Sequence, residues 1–194
     1  MEEPERCSDL DLVERFRAGD REAFTLLYRT HSPGVYRFAF YMTGDRIRAG
    51  EITQDVFVWL IHHPGEFDAG RGDLGAFLGG VARKFLLRQQ RIERRWVPFD
   101  EAADPLRRLA QRPGVGAEME REQEVARLRQ AVAALPVRYR EAVVLCDLQS
   151  KSYEEAAAAL GCAMGTVRSR LHRARELLAR KFQAQARKEG QRCL

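Results

Sequence analysis

Residues 152–178 read SYEEAAAALGCAMGTVRSRLHRARELL, and the rest of the chain is best interpreted outward from this segment. Ser152, with Glu155 three residues later, is a capping box that starts a helix. A short apolar helix follows and ends at Leu160, and Gly161 permits a tight turn before the next helix opens near Thr166. This pattern predicts a helix-turn-helix, whose second helix enters the major groove of DNA.

The second helix of this motif has an apolar face and a basic face. Val167, Leu171, Ala174 and Leu178 share one side at helical spacing and should pack inward. The centre of the opposite face would then contact base edges, and the sides of that face would contact phosphates. A merely solvated basic helix is the alternative. The residues expected to contact DNA are Thr166, Arg168, Ser169, Arg170, His172, Arg173 and Arg175.

Charge is distributed unevenly along the 194 residues, although the formal net charge is only +5. Residues 83–95 and 168–181 each contain six basic side chains and one acid, so the remainder of the chain is net acidic. Two basic patches on an otherwise acidic protein indicate two contacts with a polyanion, and leave the other faces for a different partner.

Helical periodicity dominates the chain, with almost no strand pattern. Helices are expected from Ser8 to Gly19, from Asp20 past Pro33 to Met42, and then over about 45–63, 74–95, 117–134, 136–147, 152–160 and 165–184. Prolines and glycines interrupt the pattern between residues 97 and 116. The sequence predicts an all-α protein of two small helical bundles: a first domain at 1–96, a flexible linker at 97–117, a second domain at 118–184 and a tail at 185–194.

Membrane and export classes are not favoured by the sequence. The longest apolar run, residues 56–61, is far shorter than the roughly 20 residues that span a bilayer, and the acidic start resembles no secretion signal. The four cysteines show no CxxC spacing, which indicates neither zinc nor a disulfide framework and favours a cytoplasmic location. His62 and His63 are interpreted as a helix end rather than as metal ligands, and no cofactor is expected.

The two halves together resemble extracytoplasmic-function (ECF) sigma factors. Segments 135–142, 152–157 and 165–175 resemble the family's fourth region, while 20–24, 51–57, 67–71 and 77–83 are similar to its second region. The resemblance implies an alternative sigma factor that binds RNA polymerase core and recognises minus-thirty-five and minus-ten promoter elements. It also implies regulation by an anti-sigma protein, typically in a stress response.

This resemblance assigns roles to particular residues. Those implied to dock on the clamp helices of the polymerase core are Glu51, Gln54, Asp55 and Ile61. A glycine-rich loop is implied to hold a flipped base of the minus-ten element, and the helix after it to follow the phosphates. These minus-ten residues are Asp68, Gly70, Arg71, Gly72, Asp73, Arg83, Lys84, Arg88 and Arg91. The helix-turn-helix residues given above are implied to contact the minus-thirty-five element.

The chain departs from the family pattern at three positions. Phe77 stands where tryptophan is usual, Lys84 where asparagine is usual, and Gly50 where an acid is common. A lysine can only donate hydrogen bonds, whereas an asparagine both donates and accepts, so Lys84 changes what the helix can recognise in a base.

Three other functions compete with this interpretation. A sigma-like decoy would need no DNA-contacting face, and Arg168, Ser169 and Arg173 argue against it. A nuclease would need convergent carboxylates, and Glu51 and Asp55 have no second acidic cluster at a suitable spacing. A plain helix-turn-helix regulator with a helical partner domain remains the main alternative.

Overall fold

The structure is a computed structural model that describes residues 8–96 and 117–190, and every regular element in those ranges is helical. The fold class predicted from the sequence, all-α with two helical bundles, is therefore confirmed. The helices are α1 (Asp9–Arg17), α2 (Arg21–Thr43), α3 (Arg46–His62), α4 (Leu74–Trp96), α5 (Ala117–Ala133), α6 (Val137–Val143), α7 (Tyr153–Leu160) and α8 (Met164–Gly190).

The first bundle consists of α1 to α4, and side-chain caps fix where its helices begin. Ser8 caps α1 in a capping box with Asp11, while Asp20 and Asp45 accept hydrogen bonds from the first amides of α2 and α3. The core between these helices includes Leu27, Phe38, Ile52, Val56, Leu60, Leu74 and Leu78, all almost completely buried. The α3 and α4 surfaces that matter below are held on this core.

The second bundle consists of α5 to α8 and contains the predicted helix-turn-helix. The capping box is confirmed, because the Glu155 amide donates to Ser152 Oγ (3.1 Å) and the Ser152 amide donates to Glu155 Oε2 (2.6 Å). Gly161 ends α7 with a φ of 62°, the left-handed conformation that the turn requires. Val167, Leu171 and Ala174 are buried, so α8 presents the face that its periodicity predicted.

Three boundaries differ from those expected. Pro136 precedes α6 as its N-cap residue instead of lying in its first turn, and the helix passes at Val144–Leu148 into a π-helical turn that the periodicity did not indicate. The last helix continues to Gly190 rather than ending near residue 184, because residues 179–189 are good helix formers without proline or glycine. The linker residues 97–116 lie outside the described part of the chain.

The two bundles also pack against each other, which goes beyond the predicted arrangement of two domains joined by a tether. Helix α4 lies against α7, and α2 contacts α5, α6 and the π-helical turn. Buried side chains of both bundles form one continuous apolar cluster. Within the described ranges, no helix is long and apolar enough to cross a membrane.

Candidate functional site

The outward face of α8 carries the residues predicted to contact DNA bases. Ser169, His172 and Arg173 are exposed, and the His172 side chain retains 79% of its accessible surface. Glu176 lies beside them: its Oε2 is 2.6 Å from Arg173 Nη1 and its Oε1 is 3.5 Å from His172 Nε2. The hydrogen bond from Arg173 lowers the pKa of Glu176, so this carboxylate stays charged and orients the arginine.

The residues at the sides of this α8 face make more contacts within the protein than their sequence positions indicated. Arg175 donates two hydrogen bonds to Asp147 in the π-helical turn, from Nη2 at 2.6 Å and from Nε at 3.2 Å. Arg170 and Thr166 are half-buried, whereas Arg168 is exposed with its guanidinium 5.6 Å from the ring centroid of Tyr153. Arg175 therefore has a structural role in the free protein besides any contact with phosphate.

A second exposed surface lies on α3 and contains every residue predicted to bind polymerase. Glu51, Gln54, Asp55 and Ile61 are all exposed on this helix. Two further apolar residues lie on the same helical stripe, Ile47 with 74% and Val58 with 43% of its surface exposed.

Sequence reasoning missed Ile47 and Val58, although a signal for them exists. The buried positions of α3, namely Ala49, Ile52, Thr53, Val56, Phe57 and Leu60, already form one complete inner stripe. Apolar residues outside that stripe have no core to fill. We define the docking face of α3 as Ile47, Glu51, Gln54, Asp55, Val58 and Ile61.

The glycine-rich loop before α4 is held by its own aspartates. Asp68 Oδ1 accepts a hydrogen bond from the Gly70 amide at 2.9 Å, and Asp73 Oδ1 accepts one from the Ala76 amide at 2.8 Å. Gly72 has a φ of 139°, which an L side chain rarely adopts. The side chain of Arg71 lies outside the described part of the structure. Asp68 and Asp73 thus hold the backbone of the loop in shape through these hydrogen bonds.

Arg17 anchors the chain that enters this loop. Its Nε donates to the carbonyl oxygen of Pro64 at 2.8 Å, and its Nη2 donates to that of Phe67 at 2.7 Å. No local pattern indicates this role, because Arg17 lies 47 positions before Pro64 and 50 before Phe67.

The basic residues predicted on α4 fall into two groups. Lys84, Arg88 and Arg91 are exposed, whereas Arg83 points toward the second bundle. Arg83 Nε lies 2.6 Å from Oε1 of Glu141 on α6, a carboxylate that is only 2% exposed. One predicted minus-ten residue is therefore already bound to an anion within the chain.

Asp73 also has a partner in the second bundle. Lys151 Nζ lies 2.7 Å from Asp73 Oδ2 and 2.6 Å from Glu155 Oε1. Burial opposes the charge on Asp73, but the hydrogen bonds from Lys151 and from the Ala76 amide outweigh it, so the pKa of Asp73 is lowered. The loop and Lys84 border a cleft of about 410 Å³, which α7 closes on its other side.

The histidines and cysteines have local explanations in the described chain. Nδ1 of His62 and of His63 lies 2.7 Å and 2.9 Å from the carbonyl oxygens of Val58 and Trp59, which fits the predicted helix end. Among the described residues, no group of three potential ligands could hold a metal ion. Cys146 and Cys162 are free thiols, and burial raises the pKa of Cys146.

Comparison with known proteins places these surfaces in a family. The model for Sigma-70 region 2 matches residues 27–96, and that for Sigma-70 region 4 matches residues 126–178. The ECF RNA polymerase sigma factor EcfG of Rhodopseudomonas palustris is 33% identical over 147 residues, which cover 76% of this chain and 78% of EcfG. The chain belongs to the ECF sigma factors. The α3 docking face and the loop thus lie in region 2 of this sigma factor, and the helix-turn-helix lies in region 4.

Two other relatives agree with this family. ECF sigma factor SigE of Mycolicibacterium smegmatis is 34% identical over 157 residues, but the match spans 78% of this chain and only 58% of SigE. The structure of sigma factor RpoE in complex with the anti-sigma factor NepR from Bartonella quintana superposes with a TM-score of 0.62 at 25% identity, covering 82% of this chain and 96% of RpoE.

Proposed function

We propose that this protein is an alternative sigma factor that binds RNA polymerase core and directs promoter-specific initiation of transcription. The observation that carries the proposal is the geometry of α8, whose buried apolar face leaves Ser169, His172 and Arg173 exposed in a helix-turn-helix. Such a face suits recognition of the minus-thirty-five element in the major groove. The sigma factor itself needs no catalytic group, since the polymerase performs the chemistry in the cytoplasm.

In this proposal, region 2 binds the polymerase core and recognises the minus-ten element. The docking face of α3 combines carboxylates with exposed apolar side chains, and this combination suits basic clamp helices of the polymerase. The loop at 68–73 and the exposed cations Lys84, Arg88 and Arg91 suit a flipped base and the phosphates of the melting minus-ten element. The B. quintana complex supports an anti-sigma protein as the third partner.

Transcription in vitro with purified core polymerase tests the proposal. Core alone and core with the sigma factor are compared on a promoter library, and the start sites are sequenced. We expect new transcripts that share two upstream motifs. A Gln54→Ala, Asp55→Ala variant should lose this transcription while its region 4 still binds DNA.

A plain helix-turn-helix regulator would behave differently in the same assay. It would bind duplex DNA but would start no transcript with core alone, and it would act only when a complete holoenzyme is present. Transcription that requires another sigma factor would therefore contradict our proposal and favour the regulator.

A further inference from the structure

Four aromatic rings form a continuous row from the glycine-rich loop to the end of α3. The ring centroids of Phe67 and Phe77 lie 5.5 Å apart, those of Phe77 and Trp59 lie 6.0 Å apart, and those of Trp59 and His63 lie 4.7 Å apart. Phe67 is buried, Phe77 and Trp59 are half-buried, and His63 is exposed. The row therefore starts in the core of region 2 and reaches the surface at His63.

The last two rings of the row form a parallel stack that is held in place. The planes of Trp59 and His63 differ by 13°, and Nδ1 of His63 donates to the carbonyl oxygen of Trp59 at 2.9 Å. Arg17 holds the next residue along the chain, Pro64, by its carbonyl oxygen. A ring that is fixed before binding loses little conformational entropy when a ligand stacks on it.

The same row adjoins the exposed cations of α4. Phe77 shares one side of this helix with three exposed basic residues that follow it at intervals of seven, four and three positions, namely Lys84, Arg88 and Arg91. A polyanion whose phosphates lie along these cations is thereby led to Phe77 and to its neighbour Trp59. Single-stranded nucleic acid fits this combination, because its phosphates are charged and its unpaired bases expose their π-faces.

We propose that Trp59 and His63 form a stacking platform for an unpaired base of single-stranded DNA, separate from the base held by the glycine-rich loop. The inference rests on the proposed function, in which region 2 binds the melted minus-ten strand. The base lies against the exposed ring of His63, and Trp59 supports that ring from its other side. Because every base has a π-face, the platform adds affinity for single-stranded over duplex DNA without selecting a sequence.

Two substitutions at His63 and one matched control separate stacking from other effects. His63→Ala removes the exposed ring, whereas His63→Tyr keeps an aromatic face at this position. His62→Ala is the control, because His62 is also exposed and its Nδ1 lies 2.7 Å from the Val58 carbonyl oxygen, but within the described chain it contacts no other ring. Both positions are exposed, so region 2 should keep its fold in all three variants, which circular dichroism checks.

Fluorescence anisotropy of holoenzymes reconstituted with core polymerase measures the platform with two labelled probes. One probe is a randomised pool of short single-stranded DNA, and the other is an abasic strand of the same length, which offers phosphates but no bases. We expect His63→Ala to lower the affinity for the pool at least about fivefold, and His63→Tyr and His62→Ala to bind it like the wild type. The affinity for the abasic strand should be the same in all four proteins.

Several results would overturn the platform. These are unchanged affinity of His63→Ala for the pool, an equal loss on the abasic strand, no recovery in His63→Tyr, or wild-type binding to the pool no stronger than that of core alone. Transcription in vitro with the same holoenzymes keeps this inference apart from the proposed function. Any of those results together with wild-type transcription overturns the platform alone. A wild-type holoenzyme that starts no transcript and binds the pool no better than core alone would overturn both.

Discussion

At the scale of single residues, the chemistry of a side chain here depends on the partner it meets in the fold. Arg173 is oriented by Glu176 within its own helix, so its role follows from local spacing. Arg83 is paired with Glu141, which lies 58 residues away. Removing Arg83 would leave the buried Glu141 carboxylate without a partner. This would lower the free energy of unfolding by more than the loss of an exposed ion pair does.

The two arginines Arg173 and Arg175 should differ when each is replaced by alanine. Arg173 lies at the exposed centre of α8, so Arg173→Ala should cost about 1–3 kcal/mol on the preferred duplex and flatten the preference at one base pair. Arg175 is held by Asp147 at the flank, so Arg175→Ala should weaken all duplexes equally and reduce the salt slope by about one unit. Titrations against matched and scrambled duplexes at two salt concentrations measure both effects. Equal losses on the two duplexes for Arg173→Ala would show that this face contacts only the DNA backbone.

At the scale of helices, caps and periodicity account for nearly every element. Ser8, Asp20 and Ser152 begin helices where the sequence predicted, because a side-chain acceptor satisfies backbone amides that have no partner in the helix. The π-helical turn at Val144–Leu148 was not predictable in this way. The sequence of this turn, VLCDL, is mostly apolar and compatible with an α-helix. Asp147 within it forms an ion pair with Arg175 on α8.

The docking face of α3 gives a prediction at this scale. The double substitution Gln54→Ala, Asp55→Ala should weaken binding to core polymerase by about 2–5 kcal/mol if the carboxylate is desolvated in the complex, and Ile47→Ala with Val58→Ala should weaken it as well. A pull-down with immobilised core measures the binding. Glu22→Ala with Thr25→Ala, two exposed positions on α2, is the control. Undiminished binding by the α3 variants would show that polymerase uses another face.

At the scale of the whole molecule, the contact between the bundles joins segments that the linear sequence keeps apart. Lys151 illustrates this, because it binds Glu155 of its own motif and Asp73 of the glycine-rich loop. The capping box of α7 is thereby connected to region 2. Opening the chain must break this pair together with Arg83–Glu141.

The contact between the two bundles should respond to acid in a defined direction. The pKa of Asp73 is lowered, so its contribution to the contact between the bundles is complete above the usual aspartate range and is lost as the pH falls through the lowered value. Burial works against the charge on Lys151, but hydrogen bonds to Asp73 and Glu155 raise its pKa, so its contribution is lost only at strongly alkaline pH. We expect a constant radius of gyration around neutral pH and expansion only in acid, below the usual aspartate range.

Scattering and circular dichroism together check this expectation, since the helical signal must persist while the radius increases. Asp73→Asn should shift the response, because asparagine can still cap α4 but does not titrate. His31, paired with Asp9, and Glu155 lie beside the same contact, and His31→Gln separates the effect of the imidazole. The same acid expansion in Asp73→Asn as in the wild type would exclude Asp73 as the responsible group.

The sequence by itself determined the helices, the helix-turn-helix and the two basic patches of this sigma factor. These features depend on spacings of three and four residues and on caps, which are local and so can be recognised along the chain. Only the tertiary structure decided that Gly79 and Gly80 contact α7, that Glu141 is buried against Arg83, and that Ile47 and Val58 stay exposed. Those outcomes depend on which helix faces meet, and pairing between distant segments follows from the packing of the whole core rather than from any local pattern.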